Sequence, residues 1–421
     1  MSIIIFLIIV YTLLFAFSIY KCSCFSAIFL SKRALLIFFG FKAIVALFYI
    51  YSNTSLVSGG DIFNYYNDGL IVFDKLKQGE ILTYLQLTFG TNNTTITPNI
   101  AQAVDEMGFW SDNSAYFIVR ANAFINLFTF GKSIYINAVF FALFSFLASF
   151  FIYKTFEQFL MTAKNNILVL SIFFTPSLLY WTSGMHKETL SVLFISTTLY
   201  SFFKIIIESK IKFIILFILS LALLFVLRYF IALILIPPFI AFIIYKWTNA
   251  KKPLYSYIGI YTMALLSTYI IPVLFHTPNL VDLINQRKEL YLSLKAGNTA
   301  IDLGDYHLSY LGYMTKIPQA LLNTTVRPWF FEAKTLLLAI SSIESAVLSI
   351  FLVASIFYIK KLNTKQKAFV YLFYAFGFSY LILTGLIVPN LGAILRYRSV
   401  ALFLLVPTSI YILSDFIYRK N

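Results

Sequence analysis

Charge and cysteine are both scarce in this sequence. Only 12% of its 421 residues are charged, 60% are hydrophobic, and the mean hydropathy is +0.84. A soluble fold has no means of hiding so much apolar surface, so lipid is the solvent for most of the chain. The two cysteines, Cys22 and Cys24, lie close together, with no others to complete a metal site and none elsewhere to bridge to. They read as incidental small residues. No Gly-rich phosphate loop, no zinc-ligand spacing and no Ser/His/Asp pattern stands out. Low-complexity runs are absent, and the spacing of apolar runs gives no convincing internal repeat. That weighs against transporters built from inverted halves. The first apolar run follows Met1 and Ser2 directly, without a basic stretch or a small-residue cleavage site, and reads as a retained helix.

What is present is a series of apolar runs. Eleven read as helices, at about 2–20, 34–51, 133–153, 167–182, 189–207, 213–228, 230–246, 254–275, 336–359, 368–388 and 399–417. As one straight helix, 167–207 would be about 60 Å long, twice the hydrocarbon thickness. It is expected to fold back at the polar segment 183–188, and 213–246 likewise near Arg228. The expected fold is all-α: one polytopic membrane domain over 1–421, with about eleven spans.

Charge then sets the sidedness. One set of alternate connections carries 17 Lys and Arg against three acidic residues, in short loops. The other set carries 14 against 13, spread over much longer loops. The positive-inside rule makes the first set cytoplasmic, which puts the N-terminus outside and the C-terminus inside. The net charge of +15 is therefore mostly topology, and nucleic acid is discarded as a partner. Two large loops, 52–132 and 276–335, fall on the outer side and carry interfacial segments.

Polar residues that look out of place in so apolar a chain all fall on that same side. Asp61 opens "DIFNYYNDG", close to the membrane surface, and shares a helix face with Tyr65. It suits a general base. His186, Lys187 and Glu188 form a hairpin tip between two short spans, where charges are expected to pair in a polar cavity. Glu188 has Lys187 or Arg228 as a partner, and His186 can carry a proton or touch a phosphate. Arg228 and Tyr229 interrupt "LALLFVLRYFIALIL", while Arg396 and Arg398 flank Tyr397 at the outer mouth of the last span. Two arginines there break the charge trend, and a phosphate or pyrophosphate fits the guanidinium fork. Arg120 is a candidate headgroup contact, and Arg327 and Glu332 join the site or anchor "RPWFFE" at the interface. Asp68 and Asp112 read as ordinary loop carboxylates. No metal ligand set is assigned; a divalent cation is the one cofactor left open.

An outward site has little access to cytoplasmic nucleotides, so its phosphorylated substrate comes from the membrane. "GGDIFNYYNDG" resembles the Asp-containing first outer loop of GT-C superfamily membrane glycosyltransferases. "PSLLYWTSGMHKETL", "NTTVRPWFFEA" and "NLGAILRYRSV" are similar to segments of many-span proteins of bacterial surface-polysaccharide clusters, including O-antigen-polymerase-like ones. The resemblance implies a bacterial inner-membrane glycosyltransferase working with membrane lipid. Its donor would be a polyprenyl-phosphate-linked sugar and its acceptor a glycan or lipid. Asp61 and Glu188 would be catalytic, and Lys187, Arg228, Arg396 and Arg398 would surround the phosphates. A repeat-unit polymerase stands beside that reading. A flippase or transporter of a lipid-linked or anionic solute stands further off, because the cytoplasmic halves of the spans are almost uniformly apolar apart from Lys42 and Glu344.

Overall fold

The computed structural model describes residues 2–55, 60–90, 97–161, 165–293, 299–304 and 309–418. Parts of both long loops lie outside that set. Among the described residues the only β pairing is a single bridge from Ala300 to Asn390, and the rest of the regular structure is helical. In chain order the first helices are α1 (Ser2–Lys21), α2 (Lys32–Ser55), α3 (Asp61–Lys77), α4 (Ile81–Phe89), α5 (Pro98–Glu106) and α6 (Asn113–Thr129). They are followed by α7 (Ile134–Phe159), α8 (Asn166–Phe174), α9 (Pro176–Ser183), α10 (Lys187–Glu208), α11 (Ile211–Thr248) and α12 (Pro253–Phe275). The last five are α13 (Leu280–Leu292), α14 (Tyr310–Thr325), α15 (Leu336–Tyr358), α16 (Thr364–Ile387) and α17 (Leu391–Tyr418).

All eleven apolar runs are helical. Among the described residues, nine helices are long and apolar enough to cross a bilayer, or ten if the bent pair α8 and α9 makes one span. The count falls below eleven because 213–228 and 230–246, two helices that meet at a kink at Arg228, are numbered together as α11, and because the run 167–182 is the bent pair α8 and α9. The α8–α9 bend falls at Thr175, just before Pro176, whose ring cannot continue a helix. Burial argues for lipid independently of composition. The most apolar windows of α1 and α12 are each only 6% buried, and Phe6, Leu13, Met263 and Phe275 are all more than half exposed. In water such faces would aggregate; in a bilayer they are solvated.

Two compact units are present, Met1–Lys164 with Leu179–Tyr229, and Asn165–Leu178 with Phe230–Asn421. In the first, α7 packs against α2 and α10, and α3 against α6. Its core combines Tyr49, Tyr65, Tyr116, Val119 and Phe141 with a buried amide network. Asn137 Nδ2 donates to Asn122 Oδ1 and Asn126 Oδ1 at 3.0 and 2.8 Å, and Asn126 donates to the Gly69 carbonyl. This network ties α3, α6 and α7 together where lipid offers no partners. In the second unit α16 packs on α14 and α17, with α15 and α8 also against α17. Glu344, one of the two charges inside spans, accepts the Ser177 N–H at 2.9 Å, satisfying a first-turn donor of α9 just past the break.

Cys22 and Cys24, read from sequence as incidental small residues with lipidation or redox use as alternatives, form a disulfide with each other. A 3₁₀ turn over Ser23–Phe25 holds their Cα atoms 5.3 Å apart, within bridging range.

Candidate functional site

A charge in the middle of an apolar helix has two options: snorkel to the interface or find a buried partner. Arg228 does the second. Its backbone leaves the helical region, at φ −153° and ψ 82°, and its Nη2 donates to Glu188 Oε1 at 2.6 Å. The two side chains are 7% and 1% exposed, so the pair is fully desolvated. Beside the break, the Leu227 carbonyl accepts from Ser114 Oγ at 2.7 Å.

Ser114 belongs to the first turn of α6, and the residue capping that turn completes the cluster. Asp112 Oδ1 accepts the N–H groups of Ser114 and Ala115, and its Oδ2 lies 3.1 Å from Lys187 Nζ. Burial pushes this carboxyl up, but the Lys187 charge and the two backbone donors outweigh it and hold Asp112 below the usual range. The sequence therefore offered Glu188 two cations, and the fold gives it Arg228 while Lys187 goes to Asp112. Next to them, His186 Nε2 is hydrogen-bonded to Tyr49 Oη of α2, and the His186 N–H closes a tight turn on the Gly184 carbonyl at 2.9 Å.

The remaining candidates of this unit lie on α3 and α6, apart from Tyr229 on α11. Asp61 is exposed in the first turn of α3, where a carboxylate suits the helix dipole. Tyr65 is buried and packed on Phe109, ring centroids 4.8 Å apart. Arg120 stacks over Tyr116 at 4.8 Å and donates to the Gly90 carbonyl at the end of α4. Tyr229 is 42% exposed. Asp68 is buried and receives the Gly108 and Phe109 N–H groups. Burial raises its pKa against the pull of those two donors.

The second unit holds its own cluster. Arg327 faces Glu332 through Nε and Nη2, and its Nη1 donates to Asn323 Oδ1 at 3.1 Å. Hydrogen bonding from Arg327 holds the Glu332 carboxyl below its ordinary value, with burial opposing and the Trp329 N–H and the Arg327 charge assisting. Arg398 is 1% exposed; it donates to the Arg327 carbonyl at 2.9 Å and to Ser345 Oγ at 2.6 Å. Arg396, two residues earlier, is only partly buried and donates to Tyr397 Oη.

Thus His186, Lys187, Glu188 and Arg228 gather in one unit, and Arg327, Glu332 and Arg398 in the other. Sequence reasoning passed over Asp112, Ser114 and Tyr49. The signal for Asp112 was its place before "NSAYF", where an aspartate caps a helix. Tyr49 carried none, being one of 29 tyrosines in an apolar run. Among the described residues, no three or more His, Cys, Asp and Glu side chains gather as a metal site.

Residues 119–275 match the model of the dolichyl-phosphate-mannose-protein mannosyltransferase family. The matched stretch runs from within α6 to the end of α12. It takes in Arg120, His186, Lys187, Glu188, Arg228 and Tyr229, but neither Asp61 nor the second unit's arginines. No match was found among curated proteins or among solved structures. With the apolar helices, the match supports a multi-pass membrane glycosyltransferase of the GT-C type. It also supports a lipid-linked sugar as the general kind of donor.

Proposed function

We propose that the protein transfers a sugar from a polyprenyl-phosphate-linked donor to a glycan or lipid acceptor during cell-surface polysaccharide assembly, at the outer face of a bacterial inner membrane. The observation that carries this reading is the buried Arg228–Glu188 pair with the partly exposed Lys187–Asp112 pair beside it, of which all but Asp112 lie within the family-matched stretch. The distribution of Lys and Arg between alternate loops supports the outer face.

In this reading Asp61, the exposed carboxylate, takes the proton from the acceptor hydroxyl. The resulting oxygen attacks the anomeric carbon and the polyprenyl phosphate departs. Arginine and lysine side chains stabilise the charge that develops on the leaving phosphate. Glu188 is engaged by Arg228 and holds that guanidinium in place, so the base role falls to Asp61. Lys187 and Arg228 are the proposed phosphate contacts of the first unit, with His186, Tyr65, Tyr229 and Arg120 shaping the surroundings, and Arg396 of the second unit is proposed separately as a phosphate contact.

The test is reconstitution. Purified protein in lipid nanodiscs is supplied with a radiolabelled polyprenyl-phosphate sugar and candidate acceptors, with Mg²⁺ or EDTA added in parallel to read any divalent-cation requirement. Release of polyprenyl phosphate with label on the acceptor, abolished by Asp61→Asn, is the expected result. In proteoliposomes, intact donor crossing the bilayer with no new glycosidic bond would overturn the reading in favour of a flippase.

A further inference from the structure

Lys42 sits in the middle of α2, within "IFFGFKAIVALF", and is 1% exposed. A lysine this deep in a span is costly and normally marks a function. Among the described residues no carboxylate lies within ion-pair distance of it. Its Nζ donates instead to Ser145 Oγ of α7 at 2.8 Å. Ser145 Oγ in turn lies 3.4 Å from both Thr182 Oγ1 and Ser183 Oγ. All three hydroxyl-bearing residues are fully buried. Lys42 therefore stands at the base of a short polar chain that ends where α9 gives way to the 183–188 turn.

Tyr49 lies seven residues further along α2, two turns on and on the same face. Its ring occupies the space beside Gly184, where an added Cβ would fall 2.8 Å from Tyr49 Cδ1. Its hydroxyl is bonded to His186 Nε2. One face of α2 thus reaches the turn at two points, at Ser183 through Ser145 of α7 and directly at His186. The same turn delivers Lys187 to Asp112 and Glu188 to Arg228.

We infer that Lys42 and Tyr49 are positioning residues: α2 is a two-point mount that fixes the 183–188 turn and, through it, the Glu188–Arg228 pair and Lys187. The inference rests on the functional reading above for what the mount serves, but not for its existence. A methionine at position 42 would fill the same space without an ammonium to desolvate. What it removes is the donor to Ser145. The lysine is thus explained by its hydroxyl chain and not by packing.

Hydrogen–deuterium exchange in nanodiscs tests the mount without any activity assay. Wild type is compared with Lys42→Met, Lys42→Arg, Ser145→Ala and Tyr49→Phe. The expected result is exchange over 183–188 about tenfold faster or more in Lys42→Met, Ser145→Ala and Tyr49→Phe, with peptides of α16 unchanged. Lys42→Arg keeps a donor and should restore the wild-type rate. In the transfer assay the same three variants should lower kcat by about 10- to 100-fold, with the donor KM within about threefold of wild type. If Lys42→Met does not fold, Ser145→Ala and Tyr49→Phe carry the test. Unchanged exchange over 183–188, or a rise spread equally over α16, would overturn the mount. A wild type without transferase activity would remove the proposed function, while the exchange result still decided the mount.

Discussion

Arg228, the only residue of α11 with non-helical backbone, meets Glu188, 40 residues away in sequence, at 2.6 Å. The break and the ion pair explain each other. An arginine in an intact apolar helix would face lipid, and a glutamate buried to 1% would be untenable without a cation. Removing either partner takes from the other its buried 2.6 Å ion-pair contact. Arg228→Met and Glu188→Gln should each destabilise the protein strongly, Arg228→Met by about 3–5 kcal/mol. The double variant Arg228→Met/Glu188→Leu should recover most of that loss in thermal unfolding yet remain without transferase activity. Full stability of the single variants would show that the pair contributes little to the fold.

The ion pair of Asp112 and Lys187 is of the opposite kind, half-exposed at one end, and its pH dependence has a definite sign. The folded carboxyl is held below its ordinary value, so the stabilisation is complete above the unfolded pKa of about 3.9. It disappears as pH falls through the depressed folded value. Asp112→Asn keeps an oxygen to cap α6 but discards the charge. At neutral pH this substitution should change stability by no more than about 1 kcal/mol. The gap should close on titration towards pH 3, read as melting temperature against pH. Asp112→Ala loses the cap as well and should cost about 1 kcal/mol more at every pH.

Much of this was legible from the sequence because lipid imposes long unbroken apolar runs, and each of the eleven runs proved helical. The break at Arg228 and the turn at 183–188 were legible for the same reason, since polar residues in such runs need a physical excuse. The helices α3 to α6 were harder to see. They lie in a loop of mixed composition, and their burial depends on each other, as the contact of Gly69 with the Asn122–Asn126 network shows. Which cation Glu188 would take was not legible at all. Lys187 is adjacent in sequence, but the choice is fixed by Asp112 arriving from α6, a long-range placement that no local pattern records.

Close helix packing in the second unit gives a prediction independent of function. A Cβ on Gly385 would fall 2.2 Å from the Ala320 carbonyl oxygen and 2.7 Å from its carbon, so α14 and α16 touch backbone to backbone there. Neither helix can yield by rotating a side chain. Gly385→Ala should therefore cost about 1–3 kcal/mol or more and lower the melting temperature by at least about 2–4 °C. An unchanged melting curve would mean that α14 does not lie against α16 in this way.

Arg396 and Arg398 are two residues apart and were read from the sequence as one anion-binding pair, but their surroundings separate them. Arg398 is fully buried, and its terminal nitrogens bond to the carbonyls of Thr324 and Arg327 and to Ser345 Oγ. A planar fork reaching acceptors on α14, on the segment after it and on α15 cannot be replaced by the point charge of lysine. Arg398→Lys should then destabilise the protein, since each buried acceptor left without a donor costs about 1–3 kcal/mol. Arg396 is partly exposed and bonds to its neighbour Tyr397, so it has less to hold together. Arg396→Ala should keep a melting temperature within about 2–4 °C of wild type. If it binds the departing phosphate, the same variant should lose about 100-fold or more in transfer. The two variants thus fail in different assays, one in unfolding and the other in turnover. Equal failure of both in the same assay would return the arginines to a single role.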